Sequence, residues 1–230
     1  MKNNYTVPVV DTDSITICKQ DFSEFSKEEL DKLTEDLNSK FDELINWEFE
    51  FYNPKIIVLK SKNYILYDGK KIKVKGSALK ASTKCPALKE LIKSIIDYLV
   101  YNDTIDNQAL TKIYESYVKE ATNVKDIKRW ATRKTISDKV LESDRTNEAK
   151  VREAIAGTEI VEGDRCYVYY KEDSSLSLVE NFDGNYNKTR LLKNVYDTAQ
   201  IFDTVLDCDV LFLNYSLKRN QQKLQELLNG

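Results

Sequence analysis

The chain has 230 residues, a hydrophobic fraction of 41% and a net charge of −3 at pH 7. This length is enough for one large domain or two small ones. No apolar run reaches the roughly 18 residues that a membrane-spanning helix needs, and the N-terminal residues lack the apolar core of a signal peptide. We therefore expect a cytoplasmic protein that is neither secreted nor bound to a membrane.

The composition also excludes several kinds of chemistry. The chain contains no histidine, which removes the commonest general base and the serine-type catalytic triad. Its four cysteines are far apart and form no Cys-x-x-Cys pair, so we predict neither a zinc site nor a disulfide framework. Catalysis by this chain would have to rest on carboxylates, lysines, tyrosines or a carboxylate-bound metal.

The N-terminal third is predicted to be mixed. Residues 5–10 and 15–18 are strand-like and flank a polar turn. Residues 26–47 carry apolar side chains at three- and four-residue steps, which predicts an amphipathic helix starting with a capping box at Ser26 and Glu29. The period then changes to two, which predicts an antiparallel meander with a tight hairpin at Asp68-Gly69. Its strands are expected at residues 47–52, 55–60, 63–67 and 71–75.

The remainder is predicted to be mainly helical, and a junction near residues 77–83 separates two modules, 1–82 and 83–230. The predicted class is α+β: a portion of an antiparallel sheet with one packing helix, followed by a mainly helical module with small β elements. Helices are expected at residues 88–101, 107–121, 147–155, 190–203 and 217–228, and short strands at residues 166–170 and 176–179.

Charge is distributed unevenly along the chain. Acidic residues dominate between residues 21 and 50, whereas residues 55–93 contain eleven lysines against only Asp68 and Glu90. A basic stripe in an acidic protein suits contact with a phosphate backbone. A solvated lysine-rich face is the alternative interpretation.

The polar turn holds two aspartates, Asp11 and Asp13, at the tip of the first predicted hairpin. A tight turn brings their carboxylates close together, and the repulsion between them favours a bound cation. Oxygen ligands select Mg²⁺ or Mn²⁺, the ions of two-metal phosphoryl transfer. The apolar residues on both sides strengthen this interpretation, although Asp-Thr-Asp-Ser can also be only a hydrogen-bonded polar turn.

Several segments resemble family B DNA polymerases, in the order in which that family has them. Val9-Val10-Asp11-Thr12-Asp13-Ser14-Ile15 is similar to the third conserved polymerase motif, a strand that ends in Asp-Thr-Asp-Ser. Ser61-Lys62-Asn63-Tyr64 resembles the Lys-Lys-x-Tyr strand near the primer end, and residues 71–76 resemble the next strand, which ends in Lys-Gly. Residues 82–91 resemble the start of the thumb, and residues 162–168 its Gly-Asp-Lys/Arg strand.

The resemblance implies a palm portion over residues 1–82 and a thumb over residues 83–230. It implies that Asp13 directly binds the catalytic Mg²⁺ (or Mn²⁺), and that Asp11 supports the turn with a less direct metal role. Lys62 and Tyr64 would contact the primer-template DNA, with Lys73 and Lys75 along the primer strand. The substrates would be a dNTP and the primer end.

The chain also departs from the family pattern. Val9-Val10 replaces the usual Tyr-Gly, and Ser61 replaces the first lysine of Lys-Lys-x-Tyr. The family's other metal-binding strand, its fingers helix and its exonuclease lie N-terminal to these motifs and have no counterpart here. We therefore expect the C-terminal subunit of a split polymerase of viral or phage type, located in the host cytoplasm and active only with an N-terminal partner chain. A fragment of a longer polymerase is the alternative.

Two further segments carry weaker signals. Lys128, Arg129 and Arg133 surround a tryptophan in the thumb-like module, which suits contact with duplex DNA; a surface loop anchored by that tryptophan is the alternative. The C-terminal residues 221–228 resemble a sliding-clamp-binding peptide, although an ordinary amphipathic helix has the same spacing.

Two other functions share parts of this pattern. A nucleotide-sugar glycosyltransferase also places Asp-x-Asp after an apolar strand, but it requires a nucleotide-binding domain ahead of the motif. A non-catalytic DNA-binding accessory protein would need only the basic segments.

Overall fold

The computed structural model describes residues 5–41, 45–80, 82–143 and 145–230. The chain forms two compact units, Met1–Gly76 (unit 1) and Ser77–Gly230 (unit 2). Helices and antiparallel sheets together make the fold α+β, as predicted. The predicted boundary between residues 82 and 83 lies a few residues inside unit 2.

Unit 1 begins with a β-hairpin. Strands β1 (Tyr5–Val10) and β2 (Ile15–Lys19) pair antiparallel, and Val10 lies opposite Ile15, so the Asp-Thr-Asp-Ser segment forms the connecting turn as predicted. The register shifts between Thr6 and Val9. Pro8 lies in this stretch and has no backbone N–H to donate, which suits an irregularity in the ladder.

The second sheet of unit 1 is a meander of β3 (Lys55–Lys60), β4 (Asn63–Tyr67) and β5 (Ile72–Lys75), with β4 in the centre. Directly paired residues share one face of a sheet. Tyr64 is paired with Val58 and Lys75, and Leu66 with Ile56 and Lys73.

The β1–β2 hairpin lies against this same face of the meander. Val9 forms a buried cluster with Tyr64 and Leu66, with Ile56 and Val58 packed beside it. The tip of the hairpin is therefore held next to the central strand.

The helix of unit 1, α1 (Lys27–Asn38), begins with the predicted capping box at Ser26 but ends earlier than predicted. The predicted continuation to residue 47 is wrong for residues 39–41 and 45–47, and residues 42–44 lie outside the described part of the chain. The side-chain amide of Asn38 donates to the carbonyl of Trp47 (2.9 Å) and accepts from its N–H (2.6 Å). Asn38 thus binds the returning chain, and the strand predicted over residues 47–52 is instead irregular.

Unit 1 ends at Gly76, a position that has no space for a side chain. Its backbone has a φ of 99°, which favours glycine. A Cβ atom there would collide with Oδ1 of Asn63 and the carbonyl oxygen of Lys62, in the β3–β4 turn. The last residue of the unit is thus packed tightly onto that turn.

Unit 2 is mainly helical, and its long helices agree with the prediction to within a few residues. Three of them, α3 (Pro86–Tyr101), α4 (Asn107–Thr122) and α8 (Lys188–Ala199), pack against one another. The short helices of four or five residues were not predicted, because so few residues cannot show a helical period. A strand at Thr132–Thr135 was not predicted either, because its residues are polar and show no apolar alternation. The helices are α2 (Ser77–Lys80), α3 (Pro86–Tyr101), α4 (Asn107–Thr122), α5 (Ile127–Trp130), α6 (Asp138–Glu142), α7 (Thr146–Ile155), α8 (Lys188–Ala199), α9 (Cys208–Leu211) and α10 (Gln221–Asn229), with 3-10 turns at Val179–Asn181, Gln200–Phe202 and Lys218–Asn220.

The core of unit 2 is formed by the apolar stripes of these helices. Pro86 occupies the first turn of α3, where its missing N–H costs nothing. Ile95 of α3 and Val195 of α8 are fully buried. Tyr114 of α4 is also buried, and its hydroxyl donates to the carbonyl of Leu213 (2.8 Å).

The sheet of unit 2 consists of β6 (Thr132–Thr135), β7 (Arg165–Tyr170) and β8 (Leu176–Leu178), all antiparallel. One face packs on α7, because Cys166 and Val168 share a buried cluster with Val151 and Ile155. The alternate residues of β6 and β7 therefore belong to the opposite face.

Among the described residues, no helix combines the length and the apolar character needed to cross a membrane.

Candidate functional site

The strongest candidate site is the turn at the tip of the first hairpin. The N–H of Asp11 donates to the carbonyl of Ser14 (2.8 Å), which closes the turn directly after the paired residues Val10 and Ile15. Asp11 is half-buried and Asp13 is exposed. Within the described part of the chain, no hydrogen bond or ion pair occupies the carboxylate of Asp13, so it can accept an external ligand.

Tyr64 connects this turn to the central strand of the meander. Its side chain is buried, with 6% of its surface exposed, and its hydroxyl donates to Oδ2 of Asp11 at 3.2 Å. Burial and the nearby carboxylates of Asp11 and Asp13 raise the pKa of Tyr64, so the phenol remains a protonated donor at neutral pH. The interpretation of Tyr64 as a DNA contact has to accommodate this burial.

The turn suits part of a magnesium shell. Two carboxylates supply only oxygen ligands, and Mg²⁺ in proteins is commonly held by one or two carboxylates together with water and substrate phosphates. Among the described residues there is no group of three or more His, Cys, Asp or Glu side chains arranged to hold a metal ion. Asp11 and Asp13 therefore fit the ion in kind, and the remaining ligands would come from elsewhere.

The predicted lysines of unit 1 lie on and beside the meander. Lys73 and Lys75 are exposed on β5, and the register places them on the same face as Tyr64 and Leu66. Lys73 also extends over the ring of Phe51, with 4.7 Å from Nζ to the ring centroid. The face that supports the carboxylate turn therefore also carries two cations at its edge.

Lys62 lies at the end of the same sheet rather than on its face. It is exposed in the β3–β4 turn and has a φ of 60°, a left-handed conformation that is uncommon for a residue with a side chain. The tight packing of Gly76 against its carbonyl fixes this turn. The constrained backbone of Lys62 therefore determines the direction in which its side chain leaves the turn.

In unit 2, a second basic surface forms on the outer face of the β6–β7–β8 sheet. Arg133 lies directly opposite Tyr167, and Arg165 lies on the same face two residues before that tyrosine. Nζ of Lys128 lies 5.5 Å from the centroid of the Tyr167 ring. We call Lys128, Arg133, Arg165 and Tyr167 the outer-face cluster; its three cations are exposed and have no ion-pair partner among the described residues.

Arg129, the third cation predicted for this region, is in a different environment. Its Nε donates to Glu120 (2.6 Å) and its Nη1 to Glu90, and the indole of the adjacent Trp130 also donates to Glu120. These hydrogen bonds and charges raise the pKa of Arg129 well above its ordinary value. Since two carboxylates already surround its guanidinium, Arg129 has little capacity left for a phosphate, and it links α3, α4 and α5.

The C-terminal segment that resembles a clamp-binding peptide packs within unit 2. Leu224 is buried, and the side-chain amide of Gln221 donates to the carbonyl of Tyr215 (2.7 Å). These are two of the residues that a clamp would have to bind. The ordinary amphipathic helix accounts for both contacts.

Two features of these sites were not identified from the sequence. Arg165 and Tyr167 join the outer-face cluster only because β7 pairs with β6. About thirty residues of chain separate these two strands. The Tyr64–Asp11 hydrogen bond spans 53 residues. The available signal for the cluster was the alternation of Arg165 and Tyr167 at the start of the strand predicted at residues 166–170. No local pattern indicates the Tyr64–Asp11 hydrogen bond.

No protein-family model matches the chain, and no curated protein matches it either.

Proposed function

We propose that this chain is the palm-and-thumb part of a DNA-directed DNA polymerase of the family B type. Unit 1 would provide part of the catalytic metal site, and both units would hold the primer-template duplex. The observation that carries the proposal is the arrangement of unit 1: the hairpin that presents Asp11 and Asp13 is fixed to the same sheet face that carries Lys73 and Lys75. A turn that can bind metal ions would hold the triphosphate, and two lysines beside it would contact the phosphates of a DNA end.

Each of these residues would have a defined role. Asp13, exposed at the tip, would bind the catalytic Mg²⁺ (or Mn²⁺), and Asp11 would support the turn. The bound ions would activate the primer 3′ oxygen and stabilise the leaving pyrophosphate. Lys62, Lys73 and Lys75 would contact backbone phosphates or minor-groove acceptors near the primer end.

The outer-face cluster of unit 2 would bind the DNA duplex. Exposed arginines and a lysine next to an aromatic ring favour phosphate contacts that are independent of sequence. Lys128 and Arg133 were predicted for this role and Arg165 extends it, whereas the ion pairs of Arg129 favour a structural role. Unit 2 would thus bind the DNA backbone without recognising the base sequence.

The proposal requires a partner that supplies at least one more carboxylate, the nucleotide-binding helix and the rest of the palm sheet. Among the described residues β1 and β2 form a two-stranded sheet, so each has an edge available for another strand. The same unit exposes many apolar side chains, which is typical of a surface that another polypeptide covers. These are Val7, Val10, Phe22, Phe41, Ile45, Phe49, Phe51 and Tyr52. An N-terminal polymerase chain fits both features.

Primer extension tests this function. A labelled primer-template with dNTPs and Mg²⁺ would be incubated with this chain, with a candidate partner encoded by a neighbouring open reading frame, and with both. We expect only the mixture to extend the primer, and we expect Asp13→Ala to abolish extension. Asp21→Ala is the matched control, since Asp21 is an exposed aspartate of the same unit whose side chain bonds locally to Ser23.

Two results would contradict the proposal: extension by the isolated chain, or full activity of the Asp13→Ala mixture. The outer-face cluster also suits a second function, that of a DNA-binding accessory protein. In that case the chain would bind primer-template DNA, and Asp13→Ala would leave every activity of the mixture unchanged.

A further inference from the structure

The Tyr64–Asp11 contact gives Tyr64 a role that differs from a DNA contact. Tyr64 lies on β4, the central strand of the meander, and is paired on one side with Val58 and on the other with Lys75. Its backbone is therefore held by two neighbouring strands. With only 6% of its surface exposed, its side chain is fixed as well.

The Tyr64 hydroxyl contacts the turn from the face of the meander on which the hairpin packs. Val9, two residues before Asp11, packs in the same buried cluster as Tyr64. The hairpin is thus anchored by an apolar contact at Val9 and by a polar contact at Asp11. An ionised carboxylate can only accept hydrogen bonds, so the Tyr64 hydroxyl is the donor in this pair.

We infer that Tyr64 is a positioning residue that fixes the side-chain orientation of Asp11, while Asp13 remains free to orient towards a metal ion. The two aspartates would then have different functions, because only Asp11 is hydrogen-bonded to the sheet. The role in catalysis rests on the proposed function, whereas the orientation of Asp11 can be measured without it.

The first experiment measures that orientation in the whole chain. The three-bond Hα–Hβ couplings of Asp11, obtained by NMR, report whether its side chain keeps one staggered rotamer or averages over several. We expect the couplings of a single staggered rotamer for Asp11, either one large and one small or both small, and intermediate, averaged couplings for the exposed Asp13. In Tyr64→Phe, which removes only the hydroxyl, the Asp11 couplings should become averaged.

The matched control is Tyr67→Phe on the same strand. The Tyr67 hydroxyl donates to the carbonyl of Gly69 (2.9 Å), away from the turn, so its loss should leave Asp11 unchanged. Thermal unfolding of both variants separates a general loss of stability from a specific effect. Averaged couplings for Asp11 in the unmodified chain, or single-rotamer couplings retained in Tyr64→Phe, would overturn the inference.

The second experiment uses the reconstituted mixture. Residues that orient metal ligands typically alter metal affinity or activity by 10- to 100-fold when changed, so we expect Tyr64→Phe to raise the Mg²⁺ concentration for half-maximal extension about tenfold. The maximal rate should recover at saturating Mg²⁺. A raised KM for primer-template with unchanged Mg²⁺ dependence would assign Tyr64 to the DNA instead. Absence of extension by the unmodified mixture would refute the proposed function while the coupling measurement still decides the role of Tyr64.

Discussion

The two units differ in how they are stabilised, and the candidate catalytic residues lie in the less self-sufficient one. In unit 2, α3 buries eight of its sixteen residues, including Ile95 and Leu91. In unit 1, α1 has twelve residues and buries none of them. The tip of the hairpin with Asp11 and Asp13 is attached to the meander by a small cluster around Val9 and by the Tyr64–Asp11 hydrogen bond. Its other end contacts the segment before α1 and the first turn of α1 through the Tyr5–Phe25 ring pair and the Lys19–Glu29 ion pair. The helices of unit 2 bury an apolar face within the unit, whereas unit 1 would gain more burial from a partner.

The largest expected effect follows from the helical core. Ile95→Ala should lower the free energy of unfolding of unit 2 by about 2–5 kcal/mol, since Ile95 is fully buried. Leu37→Ala in α1 should cost about 1 kcal/mol or less, since Leu37 is only half-buried. Trp47 and Trp130 are the only tryptophans, one in each unit, so ¹⁹F NMR of 5-fluorotryptophan-labelled protein during urea unfolding follows the units separately.

A Leu37→Ala cost as large as that of Ile95→Ala would contradict the comparison. The comparison would be sharpened if Leu37→Ala became more costly in the mixture with the partner chain than in the isolated chain, because α1 would then gain burial on association.

The next effect concerns alkaline pH. Burial and the carboxylate of Glu115 raise the pKa of Tyr215 in unit 2 to about 12, against an ordinary value of about 10. The fold favours the neutral phenol, so this stabilisation is complete below about pH 10 and is lost as the pH rises towards 12, by about 1.4 kcal/mol per pH unit for one group. Tyr215→Phe should reduce the slope of unfolding free energy against pH over this range.

Urea unfolding at a series of pH values, read from the Trp130 resonance, gives this slope. Tyr98→Phe serves as the control, since the Tyr98 hydroxyl lies at the surface, where it accepts from the N–H of Asp106 (2.8 Å). An unchanged slope in Tyr215→Phe would show that other groups govern the alkaline limit of unit 2.

The smallest effect tests whether both units hold DNA. The slope of log K for primer-template binding against log salt concentration measures the number of phosphate contacts. Lys75→Gln in unit 1 and Arg133→Gln in unit 2 should each reduce the magnitude of this slope by about one. Lys93→Gln is the control, because the Lys93 ammonium is already paired with Asp97 in α3. Fluorescence anisotropy at several salt concentrations measures the slope. If Arg133→Gln alone has an effect, Lys75 does not contact the duplex.

Periodicity was sufficient for elements that carry their own pattern. The helix at residues 88–101 and the strand at residues 63–67 were predicted because their apolar spacing matches their burial. The pattern failed after Asn38, where the apolar residues Phe49 and Phe51 are exposed rather than facing a core. An apolar alternation predicts a strand only if a neighbouring strand is available to pair with it.

The site was predictable in its residues but not in its connections. Asp11 and Asp13 are only two residues apart in sequence, so a turn between two strands was enough to bring them together. The link from Tyr64 to Asp11 and the pairing of Arg133 with Tyr167 depend on sheet packing and register, which are not local properties. Arg129 was assigned to DNA from its charge, and its charge is balanced by Glu90 and Glu120 from two other helices.

Gly76 has a practical consequence for anyone who divides or fuses this chain. At the Asp68-Gly69 hairpin tip, no described residue lies within 4 Å of the position of a Cβ atom on Gly69, so the tip has space around it, although the φ of 89° there still favours glycine. At Gly76 there is no such freedom, because the backbone lies directly against Lys62 and Asn63. A designer who wants the two units on separate polypeptides should keep Gly76 as the final residue of the first one and place every tag or linker from Ser77 onwards.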